Sequence, residues 1–369
     1  MKKRYILGKA LFQFSKKYSV LSSETRNKIR KIIILKSGAI GDVLQSTQFL
    51  HKVRDLFPKA EITYYVGRWS AGILENNPNI DRVISFDESI LFRKDLIKIN
   101  NLSSEIRRQR FDLMFILDKS YLANLFAWHC NVPIRIGFDR YGEGFPNTIS
   151  VQYNSVQHEA EYYNKLAYAS GAKPDLVLQS PHELYLLSKH EKFAHKFLRK
   201  NRLNKDKLVC IAPGGADNPG QSMATRRWPA EKFRILADSL IKSGYDVLLI
   251  GSRADQKYTT DFNPKAVSAM GKSSLLESAA LIKSSKLLIS NDSAPLFIGS
   301  AVGTRTLSLF GVTDPRRKAP FGDGHRFIWK KPNYPGWNDD GVFNRFDKIN
   351  TLSKIKVSEV LKTAKSMLK

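Results

Sequence analysis

The chain has 369 residues, of which 42% are hydrophobic and 11% aromatic, a composition that excludes a disordered chain and suits a folded protein of about two domains. No apolar run reaches the ~18 residues that a helix needs to span a bilayer. With 60 Lys and Arg against 34 Asp and Glu, the net charge of +26 predicts an anionic partner: a nucleic acid, an anionic membrane surface or a phosphorylated substrate. Cys130 and Cys210 lie far apart and have no metal-ligand spacing, which favours a reducing, cytoplasmic setting.

Residues 1–30 form a basic amphipathic segment with a single acid, Glu24. Its apolar residues recur at helical spacing among lysines, at Ile6, Ala10, Leu11, Phe14 and Tyr18. The pattern fits a helix lying on an anionic membrane surface, or equally a helix that packs its apolar stripe on the body of the protein. A secretory signal fits less well because Lys9 interrupts the apolar core.

Strands and helices are predicted to alternate over residues 31–180, which is typical of a parallel sheet covered by helices. The expected strands are 32–35, 62–66, 83–86 and 113–117, with helical segments at 70–76 and 90–110. The first strand lies in the stretch KIIILKSGAIGDVLQS at 31–46, in which Gly38 and Gly41 allow a tight turn and close approach to a ligand, and Gly41 is a candidate to contact the acceptor. Asp42 then begins a helix at the strand's carboxyl end, where open α/β sheets bind ligands. The other interpretation of Asp42 is a carboxylate that only satisfies backbone donors at a helix start.

Arginines concentrate in the later part of this half, and most are expected to be solvated. One or two of them, with Arg135 and Arg140 as candidates, would bind phosphate on an acceptor, since the planar guanidinium suits that task.

The pattern changes to a Lys-rich linker over residues 181–206, after which a second alternating domain covers 207–350. A helix over 351–369 would end the chain and is able to cross back to the first domain. The expected architecture is therefore α/β, with two doubly wound Rossmann-like domains facing a central cleft.

Three turns of the second half follow strands and precede helices, so they should converge at one sheet edge. The first contains Gly214 and Gly215 and leads to Arg226 and Arg227; the others are NDSAP at 291–295 and GVTDP at 311–315. A helix N-terminus with nearby arginines is a ready site for a diphosphate. Taken singly, Asp292 and Ser293 are also ordinary helix caps, and the arginines an ordinary solvated pair.

The sequence resembles the heptosyltransferases of glycosyltransferase family 9. The resemblance covers most of residues 31–321 and is carried by SGAIGDVLQST, LFPKAEITYYVG and NPNIDRVISFD, and then by APGG, RRWPAEKFRILADSL, SLLESAALIKSSKLLISNDSAP and GTRTLSLFGVTDP. It implies a GT-B fold, a nucleotide-sugar donor in the second domain, an acceptor in the first, and inversion at the anomeric carbon with no required metal or cofactor.

By this resemblance, Asp42 matches the acidic residue proposed as general base, and Arg226 falls where many members place a lysine on the donor phosphates. Asp292 matches the residue that contacts donor-sugar hydroxyls, and Ser293 and Ala294 the backbone that meets the phosphates. Asp255, shortly after a strand end, is a candidate for the ribose hydroxyls.

The chain departs from the family's usual Asp-Ser/Thr-Gly-Pro and following His, because it has Ala294 and Phe297 at those positions. Cysteines that many members carry near the carboxyl terminus are absent after Phe321. The leading hypothesis is a cytoplasmic enzyme, peripheral on the inner face of the membrane, that moves a heptose from ADP-heptose to a lipopolysaccharide-core or similar phosphorylated acceptor.

Two alternatives stay open at this point: transfer of another sugar from another nucleotide donor, and a non-catalytic nucleotide- or nucleic-acid-binding protein. Nucleic acid is not the expected partner, because aromatics are not interleaved with the basic runs. An NAD-dependent dehydrogenase is disfavoured because the first turn lacks the Gly-x-Gly-x-x-Gly fingerprint.

Overall fold

The computed structural model describes residues 20–90, 95–153, 155–174, 182–218, 221–332 and 350–369. The chain divides into two compact units, Met1–Leu178 and Gln179–Lys369. Residues 1–19 of the basic N-terminal segment lie outside the described residues, as do residues 333–349. Within the described ranges, no helix is both long enough and apolar enough to cross a membrane.

The first unit contains a six-stranded parallel sheet in the order β3-β2-β1-β4-β5-β6. Its strands are β1 Lys31–Lys36, β2 Glu61–Gly67, β3 Arg82–Phe86, β4 Leu113–Ile116, β5 Ile134–Asp139 and β6 Ile149–Gln152. Its α-helices are α1 Ser23–Lys28, α2 Ile40–Gln45, α3 Thr47–Leu56, α4 Leu96–Gln109, α5 Tyr121–His129 and α6 Glu159–Ala169, with a 3-10 helix at Arg68–Leu74.

Helices cover both faces of this sheet, which explains why its central strands β1 and β4 are almost wholly buried. On one face, Ile33 of β1 and Met114 of β4 share a core cluster with Ile106 of α4 and Phe126 of α5. On the other face, the ring of Phe49 in α3 lies edge-on to Phe115 of β4, with 5.0 Å between ring centroids. The first unit is therefore doubly wound, as predicted.

The second unit repeats this plan with a parallel sheet in the order β11-β10-β7-β12-β13-β14. Its strands are β7 Leu208–Ala212, β10 Asp246–Leu249, β11 Val267–Ser268, β12 Leu287–Asn291, β13 Thr306–Phe310 and β14 His325–Trp329, and the short strands β8 Asp217–Asn218 and β9 Gln221–Ser222 form an antiparallel pair. Its α-helices are α7 Ser188–Lys200, α8 Ala230–Lys242, α9 Leu275–Lys283, α10 Ala294–Ala301, α11 Pro315–Lys318 and α12 Val357–Leu368. Short 3-10 helices lie at Lys205–Lys207, Ala224–Arg226, Arg253–Tyr258 and Thr351–Lys354.

Both sheets share one strand order, in which the direction of winding reverses beside the first strand of each unit. The reversal falls between β1 and β4 in the first unit and between β7 and β12 in the second. Open α/β sheets bind ligands at this reversal, outside the carboxyl ends of the strands. The turns that follow these four strands are therefore where each unit's site is expected.

The segments predicted as a linker and as a closing helix each contain a helix that packs within the second unit. In the former, α7 buries Ala194 and Leu198, and Glu191 pairs with Lys283 of α9 at 2.7 Å. In the segment predicted as the closing helix, α12 contributes Val360 and Ala364 to a hydrophobic cluster that also contains residues of β7, β12 and β13. The apolar stripe of α12 is thus buried within its own unit.

Candidate active site

The turns after β1 and β4 bring three charged side chains together in the first unit. Lys36, the last residue of β1, is buried, and its Nζ lies 2.6 Å from Oδ1 of Asp118 and 3.9 Å from Oδ2 of Asp42. The second oxygen of Asp118 accepts a hydrogen bond from the Ser37 backbone N–H at 2.7 Å. Asp42 lies in the first turn of α2, and 32% of its side chain is exposed. Asp42 is therefore a solvent-accessible carboxylate beside a buried cation.

A second group of polar side chains lies near Lys36, Asp118 and Asp42. Lys119 pairs with Glu159 of α6, and Glu159 accepts a hydrogen bond from the Tyr153 hydroxyl at 2.9 Å. The Lys119 ammonium also lies over the rings of Tyr153 and Tyr163, 4.8 and 5.1 Å from their centroids. Burial, together with the Asp42, Glu159 and Asp118 carboxylates, raises the pKa of Tyr163 well above its usual value. Tyr163 is therefore a neutral phenol in this site.

Burial acts against the charged form of Lys36, but the neighbouring carboxylates outweigh it. The Asp118 and Asp42 carboxylates and the hydrogen bond to Asp118 together raise the pKa of Lys36 above its ordinary value. Its ammonium is consequently present throughout the neutral range.

The two candidate acceptor arginines occupy different environments. Arg135 is buried in the amino-terminal half of β5, level with Met114, and its guanidinium donates to the carbonyls of Val132 and Pro146. Burial lowers its pKa. Arg140 directly follows β5 at the carboxyl edge, where its Nη2 lies 3.7 Å from Glu143 Oε2. Of the two, only Arg140 lies at the edge that carries Asp42; the contacts of Arg135 are those of a structural residue.

Gly41, the third residue predicted to meet the acceptor, is buried within α2 next to Asp42.

In the second unit, the glycine turn after β7 packs directly on two neighbouring turns. A Cβ on Gly214 would collide with the Asp255 carboxylate, and one on Gly215, whose φ is +84°, would lie 2.6 Å from the Cβ of Ser293. Asp255 is buried and accepts hydrogen bonds from the backbone N–H groups of Gly215 and Ser252 at 3.1 and 2.8 Å. Its carboxylate thus holds the turn together, and its predicted contact with a ribose stays a prediction.

Arg226 and Asp292, both predicted in the donor site, form a buried ion pair. Arg226 Nη2 lies 2.7 Å from Asp292 Oδ2 and donates to the Asp292 carbonyl at 2.6 Å. Asp292 Oδ1, Arg226 Nε and Thr313 Oγ1 are buried and have no hydrogen-bond partner among the residues that the structure describes. Buried polar atoms normally have partners, so these atoms are candidates for ligand contacts.

The sequence left open whether Asp292 and Ser293 only cap a helix, and the structure shows no side-chain cap at the start of α10. Ser293 is the N-cap of α10, yet no side chain caps that helix by a hydrogen bond. Pro295 occupies the first turn, and Ala294 begins the helix. The start of α10, at the reversal of strand order, therefore keeps the features of an anion site.

Sequence reasoning missed three residues that build these sites. Lys36 and Asp118 are two of them, and the signal for both is a charged residue directly after an apolar run of four or five residues. Asn291 is the third: its Nδ2 donates to the carbonyls of Pro213 and Gly214 at 3.1 Å, and its Oδ1 accepts from the Trp228 N–H at 2.9 Å. It joins the turns after β7 and β12 to the start of α8.

No cluster of three or more His, Cys, Asp or Glu side chains that could hold a metal ion occurs within the part of the chain that the structure describes. Cys130 and Cys210 are both buried free thiols, and burial raises the pKa of each to about 12.

Comparison with known proteins identifies the family of this chain. The family model described as glycosyltransferase family 9 (heptosyltransferase) matches residues 99–339. The lipopolysaccharide core heptosyltransferase OpsX of Haemophilus influenzae is 23% identical over 302 residues, which cover 79% of this chain and 82% of that protein.

Among solved structures, the family 9 glycosyl transferase of Veillonella parvula superposes with a TM-score of 0.73 at 24% identity, covering 92% of this chain and 97% of that chain. The E. coli ADP-heptose lps heptosyltransferase II gives a TM-score of 0.71 at 20% identity, covering 92% and 98%. These likenesses establish the GT-B fold that the sequence predicts. Because the family model spans more than half of its length, the chain belongs to glycosyltransferase family 9, the heptosyltransferases, and is a glycosyltransferase.

Proposed function

We propose that this glycosyltransferase transfers a heptose from ADP-heptose to a lipopolysaccharide-core or similar phosphorylated saccharide, with inversion at the anomeric carbon and Asp42 as general base. The relatives support the sugar and the acceptor class, since one is described as a lipopolysaccharide core heptosyltransferase and another as an ADP-heptose enzyme. The observation that carries the proposal is the accessible Asp42 carboxylate beside Lys36, at the position that matches the family's acidic residue.

In the proposed reaction, the acceptor hydroxyl oxygen attacks C1 of the donor sugar while Asp42 takes its proton. The bond between C1 and the diphosphate oxygen breaks, and its electron pair leaves with ADP. A carboxylate within hydrogen-bond reach of the hydroxyl suits this proton transfer. Attack opposite the departing diphosphate accounts for the inversion.

The donor would be held at the carboxyl edge of the second unit. Asp292 Oδ1 has no partner among the described residues, and we assign it to a hydroxyl of the donor sugar. The backbone of Ser293 and Ala294 at the start of α10 would meet the diphosphate, with the Arg226 guanidinium stabilising its developing charge. We further propose that the reaction needs no metal or other cofactor.

The net charge of the chain supports our proposals for its cellular location and its acceptor. A net charge of +26 complements an anionic, lipid-linked acceptor and the anionic inner face of the cytoplasmic membrane. We therefore propose a cytoplasmic protein, peripheral on that membrane, that does not act on nucleic acid.

A second candidate is the same reaction with another sugar. It is favoured by Phe297, which stands where family members usually carry a His. Its ring is buried and lies edge-on to His182, with 5.9 Å between centroids, so this position offers no polar group to a donor.

The test compares wild type with Asp42→Asn, using heptose-deficient lipopolysaccharide as acceptor and EDTA in the buffer. We expect ADP to raise the melting temperature of both proteins more than UDP or GDP does, because a ligand that binds only the native state stabilises it. Turnover of ADP-heptose by Asp42→Asn should be lower than that of the wild type by about 100-fold or more. Retained turnover would remove Asp42 as the base, a stronger response to UDP or GDP would support the second candidate, and loss of activity in EDTA would contradict metal independence.

A further inference from the structure

Lys36 is the most completely buried cation at the edge that carries Asp42. Only 6% of its side chain is exposed, although it ends a strand at the mouth of the predicted site. A buried ammonium is expensive to desolvate, so its retention calls for partners that stabilise it. The Asp118 carboxylate is the first of these, at 2.6 Å, and Asp118 is itself fixed by the Ser37 N–H.

The second partner of Lys36 is Asp42, at 3.9 Å. This separation is longer than a hydrogen bond, so Lys36 acts on Asp42 through its electric field. An opposite charge within about 4–6 Å favours the ionised form of a carboxylate.

We propose that Lys36, fixed by Asp118, is a positioning residue for Asp42: its buried ammonium orients the Asp42 carboxylate and stabilises its ionised form. The inference deepens the proposed function, because it rests on Asp42 as the base. Asp118 has the complementary task of holding the ammonium in place through its 2.6 Å contact.

The other groups around the pair do not replace Lys36 in this task. Lys119, after β4, is already paired with Glu159 of α6. Burial raises the pKa values of Tyr64 on β2 and of Tyr163 on α6, so both hydroxyls are neutral. Because the pKa of Lys36 is itself raised, its charge persists below and above neutral pH and is lost only in strongly alkaline solution.

The experiment removes the Lys36 charge in the double variant Lys36→Met, Asp118→Asn, which does not leave Asp118 as an unpaired buried carboxylate; Asp118→Asn alone gives the effect of losing the Asp118 charge while Lys36 stays. Asp118→Asn is compared with the double variant Lys36→Met, Asp118→Asn, and each is titrated by carbon NMR of the Asp42 carboxyl, assigned with Asp42→Asn. Methionine keeps the volume of the lysine stem, and asparagine can still accept from the Ser37 N–H. Lys28→Met is the matched control, because Lys28 is exposed and pairs with Glu24 on α1.

We expect the Asp42 titration midpoint to lie about one pH unit higher in the double variant than in Asp118→Asn. The acid limb of kcat/KM should move to higher pH by the same amount, while the KM for ADP-heptose and the Lys28→Met midpoint stay unchanged. An unchanged Asp42 midpoint overturns the inference.

The NMR midpoint needs no turnover, so it separates this inference from the proposed function. A shifted midpoint in a protein whose Asp42→Asn variant still transfers heptose upholds the coupling and removes Asp42 as base. A shifted midpoint together with a shifted acid limb supports both.

Discussion

At the residue scale, side chains of the same type near strand ends have different roles. Burial and hydrogen bonding decide whether such a side chain is accessible to a ligand or holds the fold together. Asp42 is partly exposed beside a cation, whereas Asp255 is buried and accepts from backbone N–H groups. The arginines divide in the same way. Arg135 holds backbone carbonyls inside the first unit, and Arg140 stands at the carboxyl edge.

This difference predicts that Arg135→Met lowers stability, whereas Arg140→Met weakens acceptor binding. Arg135→Met should lower the free energy of unfolding by about 1–3 kcal/mol, because it leaves buried carbonyls without a donor, and should leave the acceptor KM unchanged. Arg140→Met should raise the acceptor KM and change the stability by less than about 1 kcal/mol, because its ion pair is partly exposed. Urea unfolding and steady-state kinetics measure both. A raised acceptor KM in Arg135→Met without loss of stability would instead show that Arg135 contacts the acceptor.

At the element scale, the donor edge is built from turns that bind one another. Asn291 joins the turn after β7 to the start of α8, where Trp228 is anchored further by its Nε1 donating to the Ile355 carbonyl at 3.1 Å. Gly215 allows the closest approach, since its positive φ and missing side chain make room for Ser293. The anion site at α10 thus depends on contacts outside α10.

Asn291→Ala should therefore weaken both the fold and ADP binding. We expect a loss of about 1–3 kcal/mol of unfolding free energy, because a buried N–H and two carbonyls lose their partners, together with a smaller melting-temperature rise on adding ADP. Asn204→Ala is the control, since Asn204 caps an exposed 3-10 turn by accepting from the Asp206 N–H. Equal losses in the two variants would show that Asn291 has no special place in the donor edge.

Element prediction was reliable for central strands and weaker elsewhere. The apolar runs at 32–35, 62–66, 113–117, 208–212, 247–250, 287–290 and 306–310 are predicted as strands and become β1, β2, β4, β7, β10, β12 and β13. They are apparent from the sequence because such strands are covered on both faces. Strands β5, β6 and β14 were not predicted. Arg135 and Gly137 interrupt the apolar run of β5, and β6 and β14 lie at sheet edges, where pairing with a neighbouring strand defines them more than their own pattern does.

At the scale of the whole molecule, the basic N-terminal segment divides into two parts. Leu21 and Ile29 are buried in the first unit, and the Leu21 N–H donates to the Ala169 carbonyl at 3.2 Å. Residues 20–30 therefore belong to the fold of this unit, and a test of membrane binding has to stop at residue 19.

Deleting residues 1–19 should release the protein from vesicles containing phosphatidylglycerol, because the deletion removes a cluster of lysines that anionic lipids attract. ADP binding should be unchanged. Co-sedimentation with anionic and with neutral vesicles measures the first effect, and thermal shift measures the second. If the shortened protein still binds anionic vesicles, the membrane site lies elsewhere, and the exposed cations Lys192, Lys196 and Arg199 of α7 become the next to test.

The two doubly wound domains, the family and the strand-end turns that carry Asp42, Asp292 and Ser293 are all predictable from the sequence alone. They are predictable because buried parallel strands, glycine turns and helix starts are local patterns. The partners of these side chains become known only from the folded chain: Lys36 contacts Asp118 and Asp42, Arg226 contacts Asp292, and Asn291 joins the turns after β7 and β12 to the start of α8. Apart from Lys36 and Asp42, these partners are far apart in sequence, and they meet because parallel strands deliver their carboxyl ends to a single edge of the sheet.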